Sequence, residues 1–87
     1  TIADGLKTQL GDQNFPIIRQ LVRQIIRVEE SEIVEAMRYI WERMKIIIEP
    51  SSAVAVAALF RQKEEFKNMK VGIIISGGNV DLENLPF

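Results

Sequence analysis

The sequence predicts an α/β fold in which helices lie on both sides of a sheet, in three αβα layers. A long amphipathic pattern over Glu30–Ile48 is the clearest helical signal. The apolar run Val71–Ile75 is typical of a strand buried on both faces, and Ser76-Gly77-Gly78-Asn79 follows it. The order of elements is helix, strand, helix, helix, strand, which indicates an α/β unit rather than a helical bundle.

The first predicted elements are a short helix and a strand. Residues 11–14 form a predicted loop, in which Asn14 caps a helix that carries Pro16 in its first turn. The apolar stripe of this helix consists of Ile17, Ile18, Leu21, Val22 and Ile25. The run Ile25–Val28 favours a strand, and its charged neighbours indicate an edge position.

The helix predicted over Glu30–Ile48 has apolar side chains at spacings of three and four residues. They are Ile33, Met37, Ile40, Met44 and Ile47. Polar residues with the same spacing form the opposite face, toward solvent or a partner. The start of the helix is predicted to be poorly capped, because Glu29 and Glu30 favour the helix dipole but lack a hydroxyl group.

A proline separates this helix from the next element. The residue before Pro50 is kept out of the α conformation, so the helix ends there. The alternating run Ala53–Phe60 can be a strand, but its alanines and its apolar character on all sides favour a buried helix. Residues 61–70 are predicted to be a charged loop, and Asp81–Phe87 is a short last segment.

The composition excludes several kinds of site. The 87 residues suffice for one small core, and 47% of them are hydrophobic. With 11 Lys and Arg against 12 Asp and Glu, the net charge of −1 gives no basic surface for nucleic acid or an anionic membrane. The sequence has no histidine and no cysteine, which excludes His-based metal sites, triads, disulfides and thiolate chemistry and fits a cytoplasmic location. No apolar run approaches the roughly 20 residues of a membrane span.

A few positions are candidates for contact with a ligand. Ser76 can point its hydroxyl at a bound group that Gly77 admits closely, or the motif can be only a tight turn after a strand. Glu49 is either a carboxylate at the edge of a site or the (i, i+4) partner of Lys45. Gly5 follows an aspartate in a turn signal and is free to take positive φ. No nucleophile–base pair for covalent catalysis can be assembled.

Three motifs together closely resemble one enzyme group. Residues 1–5 (TIADG), 41–59 (WERMKIIIEPSSAVAVAAL) and 73–82 (IIISGGNVDL) are similar, in this order, to the C-terminal part of serine racemases and serine/threonine dehydratases. These are fold-type II pyridoxal 5'-phosphate enzymes, which have the tryptophan synthase β-like fold. The resemblance implies that residues 1–87 are the C-terminal part of the large cofactor-binding domain of a longer chain. The start at Thr1 without a methionine indicates the same.

The resemblance also implies roles for individual residues. Ser76 matches the serine whose hydroxyl meets the pyridine nitrogen of the cofactor, and Gly77 follows it in the same turn. Glu49 matches a glutamate near the same end of the ring. Gly5 matches backbone that lies beside the cofactor and the substrate. A neutral hydroxyl partner leaves the ring nitrogen largely unprotonated, which suits β-elimination.

Further implications concern effectors and the residues that lie elsewhere. Arg43, Lys45 and Asn79, with Glu49, match positions where the nucleotide-activated racemases bind ATP, at a domain and subunit boundary. The resemblance therefore implies ATP as an effector and a homodimer. The Schiff-base lysine, the glycine-rich phosphate loop, the substrate-carboxylate loop and the Mg²⁺ ligands of this group lie upstream of the matching region. This chain is therefore expected to contain no catalytic residue and no metal ligand.

The activity implied by the resemblance starts with removal of the α-proton from a β-hydroxy amino acid. Reprotonation then gives racemisation, and loss of the β-hydroxyl gives a 2-oxo acid and ammonia. The expected partners are the remainder of the same cytoplasmic enzyme and a small amino-acid substrate, without nucleic acid or membrane. The alternative is a regulatory or interaction module that keeps the fold without the chemistry, and the upstream sequence would distinguish the two.

Overall fold

The computed structural model describes residues 1–87 and contains three α-helices and one short 3₁₀ turn. The 3₁₀ turn spans Asp4–Leu6, α1 spans Asn14–Leu21, α2 spans Glu30–Met44 and α3 spans Pro50–Arg61. None of these helices is long and apolar enough to cross a membrane. The three α-helices correspond to the three helices predicted from the sequence, although their boundaries differ from the expected ones.

The core lies between α2 and α3. It consists of Ile33, Ala36, Met37, Ile40, Ile48, Ala53, Val56 and Ala57. The small alanine side chains at this contact let the two helices pack closely. Three of the apolar residues predicted to form the stripe of α2 are thus buried. The buried helix predicted over residues 53–60 is confirmed, and it begins earlier, at Pro50.

Helix α2 ends at Met44, so the predicted continuation to Ile48 is wrong. Lys45 has the left-handed conformation, with φ of 59°, and its N–H donates to the carbonyl of Trp41 at 3.1 Å. A left-handed residue at this position turns the chain out of the helix. The indole Nε1–H of Trp41 then donates to the carbonyl of Ile48 at 2.9 Å, which fixes the segment that leads to α3.

The prediction that α2 is poorly capped is also wrong. The backbone N–H of Glu29 donates to Glu32 Oε1 at 2.8 Å, which is the reciprocal bond of a capping box. Arg61 at the end of α3 donates to the same carboxylate oxygen. These two interactions, first the bond from Glu29 and then the ion pair with Arg61, hold the pKa of Glu32 below its usual range. A single carboxylate therefore caps α2 and ties it to α3.

Helix α1 carries its apolar residues on the surface. It begins at Asn14, which is therefore the first helical residue rather than the predicted cap, and no side chain caps it. Ile17 and Leu21 are 56% and 74% exposed, and only Ile18 is partly covered. The predicted stripe is thus amphipathic but does not pack against the rest of this chain.

The two predicted strands, residues 25–28 and 71–75, have no regular secondary structure. A strand gains its hydrogen bonds from a neighbouring strand, and these two runs do not bond to each other. The expected burial of the second run is wrong for this chain, since Ile74 is 85% exposed and Val71 and Ile75 are exposed as well. Ile73 alone packs against the core. The sheet of the expected three-layer fold is not confirmed by these residues.

The capping carboxylate gives a prediction for pH dependence. Because the pKa of Glu32 is lowered in the folded chain, its contribution to stability is present above the ordinary glutamate pKa of about 4.3 and is lost as the pH falls through the lower folded value. We expect the difference in melting temperature between wild type and Glu32→Gln to be largest at neutral pH and to shrink in acid. Glu35→Gln removes the same charge from an exposed position of α2 and is the control. A difference that does not change with pH would contradict this assignment.

Candidate functional site

The turn at Gly77 lies against the first turn of α3. The backbone N–H of Glu49 donates to the carbonyl oxygen of Gly77 at 3.1 Å. The Ser52 hydroxyl donates to the same carbonyl and accepts a hydrogen bond from the Gly77 N–H, both at 2.9 Å. Both backbone polar groups of Gly77 are therefore held by residues at the start of α3.

The start of α3 fixes the residues that hold Gly77. Pro50 is the first helical residue, where its missing N–H costs no hydrogen bond. The carbonyl of Glu49 accepts hydrogen bonds from the N–H groups of Ser52 at 3.0 Å and Ala53 at 3.1 Å. Ser52 is only 2% exposed. Its hydroxyl is therefore held in place by backbone bonds and by burial.

Ser76 precedes this glycine and is exposed. Its Oγ lies 3.0 Å from Ser52 Oγ, and either hydroxyl can be the donor. A hydroxyl has one proton and two lone pairs, so this contact leaves Ser76 with further hydrogen-bonding capacity. The side chain of Ser76 is thus anchored on one side and open to a ligand on the other.

The glycines of this turn lie very close to the segment that enters α3. A Cβ atom on Gly77 would overlap Oε1 of Glu49, and one on Gly78 would overlap the carbonyl oxygen of Ile47. No glycine in the chain has positive φ. The two glycines therefore let the turn lie directly on the segment that enters α3, and the half-buried Glu49 carboxylate lies beside Gly77.

Gly5 reaches the same helix end from the other side. Its N–H donates to Ser51 Oγ at 3.1 Å, and a Cβ atom on Gly5 would lie 2.9 Å from that oxygen. The positive φ that Gly5 is free to take is not used, and a Cβ atom there would instead press against the Ser51 side chain. The first turn of α3 thus brings together the four predicted cofactor positions, which are Gly5, Glu49, Ser76 and Gly77.

The alternative interpretation of Glu49, as the helical partner of Lys45, is wrong. Lys45 ends α2 in the left-handed conformation, so the two residues do not lie one turn apart on a helix. The ion pairs of the chain are Arg38–Glu42 and Arg61–Glu32. Glu49 is therefore free of a cationic partner and lies next to the glycine turn.

The positions matched to a nucleotide site are more dispersed. Asn79 lines a polar cavity of about 360 Å³, together with Thr1, Asp4, Lys7, Pro50 and Asp81 among others. Arg43 and Lys45 do not line this cavity, and the Arg43 guanidinium lies over the Tyr39 ring, 5.3 Å from its centroid. The ATP role of Arg43, Lys45 and Asn79 stays a prediction.

Two residues of this arrangement were missed by sequence reasoning. Ser51 and Ser52 follow Pro50 in the first turn of α3, where hydroxyl side chains are common for local reasons. No pattern in the sequence distinguishes such serines from ones that hold a distant turn. Pro50 was predicted only to end the preceding helix, so the start of α3 at this proline, and with it the place of the two serines, was not predicted.

Comparison with known proteins places this geometry in a family. Residues 1–77 match the family described as "Pyridoxal-phosphate dependent enzyme". The chain is 57% identical over 89 residues to a serine racemase of Dictyostelium discoideum, covering 98% of this chain and 27% of that protein. It is 50% identical over 84 residues to an L-threo-3-hydroxyaspartate ammonia-lyase of Pseudomonas sp, covering 95% of this chain and 26% of that protein. The chain thus spans about a quarter of the length of these relatives.

Solved structures agree with the sequence matches. The structure superposes on the crystal structure of the Dictyostelium discoideum serine racemase with a TM-score of 0.87, over 94% of this chain and 28% of that one, at 57% identity. It superposes on the crystal structure of a threonine deaminase from T.th. with a TM-score of 0.86, over 93% of this chain and 27% of that one, at 36% identity. These neighbours are fold-type II enzymes, which confirms the resemblance on which the cofactor positions rest. The chain belongs to the pyridoxal-phosphate dependent enzyme family.

Proposed function

We infer that this chain is the C-terminal part of the large cofactor-binding domain of an enzyme that acts on β-hydroxy amino acids. The enzyme is a serine racemase or an L-serine/L-threonine dehydratase, which releases ammonia and a 2-oxo acid. The relatives named serine racemase, L-threo-3-hydroxyaspartate ammonia-lyase and threonine deaminase support this assignment.

The finer fold belongs to the same proposal. Residues 25–28 and 71–75 are strands of a three-layer αβα domain, paired with strands from the rest of the enzyme. The exposure of the apolar side chains Ile25 and Ile74, at 80% and 85%, supports this interpretation. Contiguous patches of exposed apolar side chains mark surfaces that contact other protein segments.

The observation that carries the proposal is the hydroxyl of Ser76, which is anchored by Ser52 and open on its other side. A pyridine nitrogen needs one hydrogen-bonding partner in the plane of its ring, and an exposed hydroxyl with spare capacity fits it. Gly77 and Gly78 let the turn lie directly on the segment that enters α3, which holds the adjacent Ser76 at that helix end. The residues present therefore fit the cofactor.

Pyridoxal phosphate, when bound, accepts the electrons that remain on the α-carbon after its proton is removed. The Ser76 hydroxyl orients the ring and, because it is neutral, leaves the ring nitrogen largely unprotonated. The Glu49 carboxylate, which lies beside Gly77, would contact the same end of the ring. The backbone of Gly5 lies on the opposite side of the first turn of α3, where its N–H donates to Ser51 Oγ. The residues of this chain would bind and orient the cofactor, and the base that moves the α-proton lies elsewhere in the enzyme.

Effector and assembly roles are part of the same hypothesis. Arg43, Lys45 and Asn79 contribute to an ATP effector site at a domain and subunit boundary, as the resemblance to the nucleotide-activated racemases implies. The Mg²⁺ ligands of the enzyme lie outside this chain. The enzyme is a homodimer in the cytoplasm.

The proposed cofactor can be tested by absorbance. We expect the intact enzyme that carries this chain to gain a visible absorption band when pyridoxal phosphate is added, because the cofactor joins an enzyme lysine. Borohydride should abolish that band by reducing the bond. A protein that gains no band, and whose spectrum borohydride does not change, would contradict the enzyme assignment and favour a non-catalytic module.

The role of Ser76 can be tested by substitution. We expect Ser76→Ala to leave the fold intact and to lower the turnover of L-serine or L-threonine roughly tenfold, the equivalent of one hydrogen bond of about 1.4 kcal/mol. Ser31→Ala, on the exposed face of α2, is the control and should keep the wild-type rate. Steady-state kinetics that do not distinguish the two variants would remove Ser76 from the site.

The contact between Gly77 and Glu49 gives a matched pair of glycine variants. The Cβ atom of Gly77→Ala would overlap Glu49 Oε1, so the carboxylate must move and we expect the cofactor dissociation constant to rise roughly tenfold. Gly11→Ala adds the same atom in the loop before α1, where no other atom lies within 4 Å, and it should bind the cofactor as wild type does. Fluorescence titration of the apoenzyme measures both, and equal affinities would show that the position of Glu49 is unimportant.

A further inference from the structure

The Ser52 hydroxyl is bonded more extensively than a helix-capping role requires. Its Oγ lies 2.9 Å from both the nitrogen and the oxygen of Gly77 and 3.0 Å from Ser76 Oγ. All three contacts link it to a segment 24 or 25 residues away in the sequence. Because Ser52 is 2% exposed, this hydroxyl cannot exchange these partners for water.

The number of protons at this point limits the possible hydrogen bonds. Ser52 has one hydroxyl proton and two acceptors within reach, which are the Gly77 carbonyl and Ser76 Oγ. The Gly77 carbonyl already accepts a hydrogen bond from the N–H of Glu49. The Ser52 proton can therefore turn to Ser76 without leaving that carbonyl unpaired.

The two positions of the Ser52 proton have opposite consequences for Ser76. When Ser52 donates to the Gly77 carbonyl, Ser76 donates to Ser52 and offers only lone pairs on its open side. When Ser52 donates to Ser76, the Ser76 proton is free to point outward. An unprotonated ring nitrogen is an acceptor, so it needs the second arrangement.

We propose that Ser52 is a positioning residue that orients the Ser76 hydroxyl as a donor toward the cofactor ring nitrogen. This proposal rests on the proposed function, in which Ser76 is the partner of that nitrogen. A hydrogen bond accepted by Ser76 from Ser52 also strengthens the bond that Ser76 donates, because consecutive hydrogen bonds polarise one another. Without Ser52, the exposed Ser76 side chain is free to change its rotamer.

The test is a double-mutant cycle in the intact enzyme with Ser52→Ala, Ser76→Ala and both together. The readouts are the dissociation constant of pyridoxal phosphate and the NMR chemical shift of its isotopically labelled ring nitrogen. We expect Ser52→Ala to raise the dissociation constant about threefold to tenfold and to move the nitrogen shift from the wild-type value toward that of Ser76→Ala. In the Ser76→Ala background, Ser52→Ala should leave the nitrogen shift unchanged, because its action on that nitrogen passes through Ser76, and it should raise the dissociation constant by less than in the wild type, since only the loss of the bonds to Gly77 remains.

Other results would overturn the proposal in distinguishable ways. If Ser76→Ala itself changes neither affinity nor shift, the assignment of Ser76 fails and the role of Ser52 fails with it. If Ser76→Ala has its expected effect but Ser52→Ala leaves the nitrogen shift unchanged, or acts equally in both backgrounds, only the role of Ser52 fails. Ser52→Cys keeps nearly the same shape and replaces the hydroxyl by a weakly bonding thiol. Ser52→Cys should move the nitrogen shift in the same direction as Ser52→Ala, and it replaces that variant in the cycle if Ser52→Ala does not fold.

Discussion

The attachment of Gly77 to the first turn of α3 is the constraint on which the candidate site depends. The Glu49 N–H donates to the Gly77 carbonyl, the Gly77 N–H donates to Ser52 Oγ, and the Ser52 hydroxyl lies within donating distance of the same carbonyl. A buried N–H or carbonyl that loses its partner costs about 1–3 kcal/mol, so this attachment resists displacement. It determines where Ser76 lies, because Ser76 is the adjacent residue in the chain. Any side chain at Gly77 would push against Glu49.

The packing of α2 against α3 determines where that first turn lies. Trp41 on α2 donates to the carbonyl of Ile48, one residue before Glu49. Phe87 packs edge-to-face on the Trp41 ring, with centroids 5.3 Å apart, so the end of the chain covers the same indole. The buried Ile48 side chain joins the helix core directly to this connection. The site therefore derives its geometry from the helix pair rather than from the turn that carries Ser76.

The sequence was sufficient to predict the helices but not the strands. A helix forms its hydrogen bonds within one segment, so the spacing of residues such as Met37 and Ile40 predicted α2 correctly. A strand depends on a neighbour elsewhere in the chain or beyond it, so the composition of residues 71–75 gives a propensity and not a structure. The end of α2 was mispredicted for a related reason. The left-handed conformation of Lys45 turns the chain toward α3, and no local pattern of apolar residues predicts it.

The site residues that could be predicted from the sequence are those that interrupt a regular pattern of residue types. Glycines directly after an apolar run indicate a turn at the end of a strand, and this pattern predicted Ser76 and Gly77 as site residues. Ser52 follows a proline at a helix start, where serine is ordinary, so its contact with a turn 24 residues away was not predictable. The identity of residue 76 itself follows from its surroundings. A hydroxyl at this position accepts the bond that Ser52 can donate and still retains a proton for a ligand, which neither an apolar side chain nor a carboxylate does.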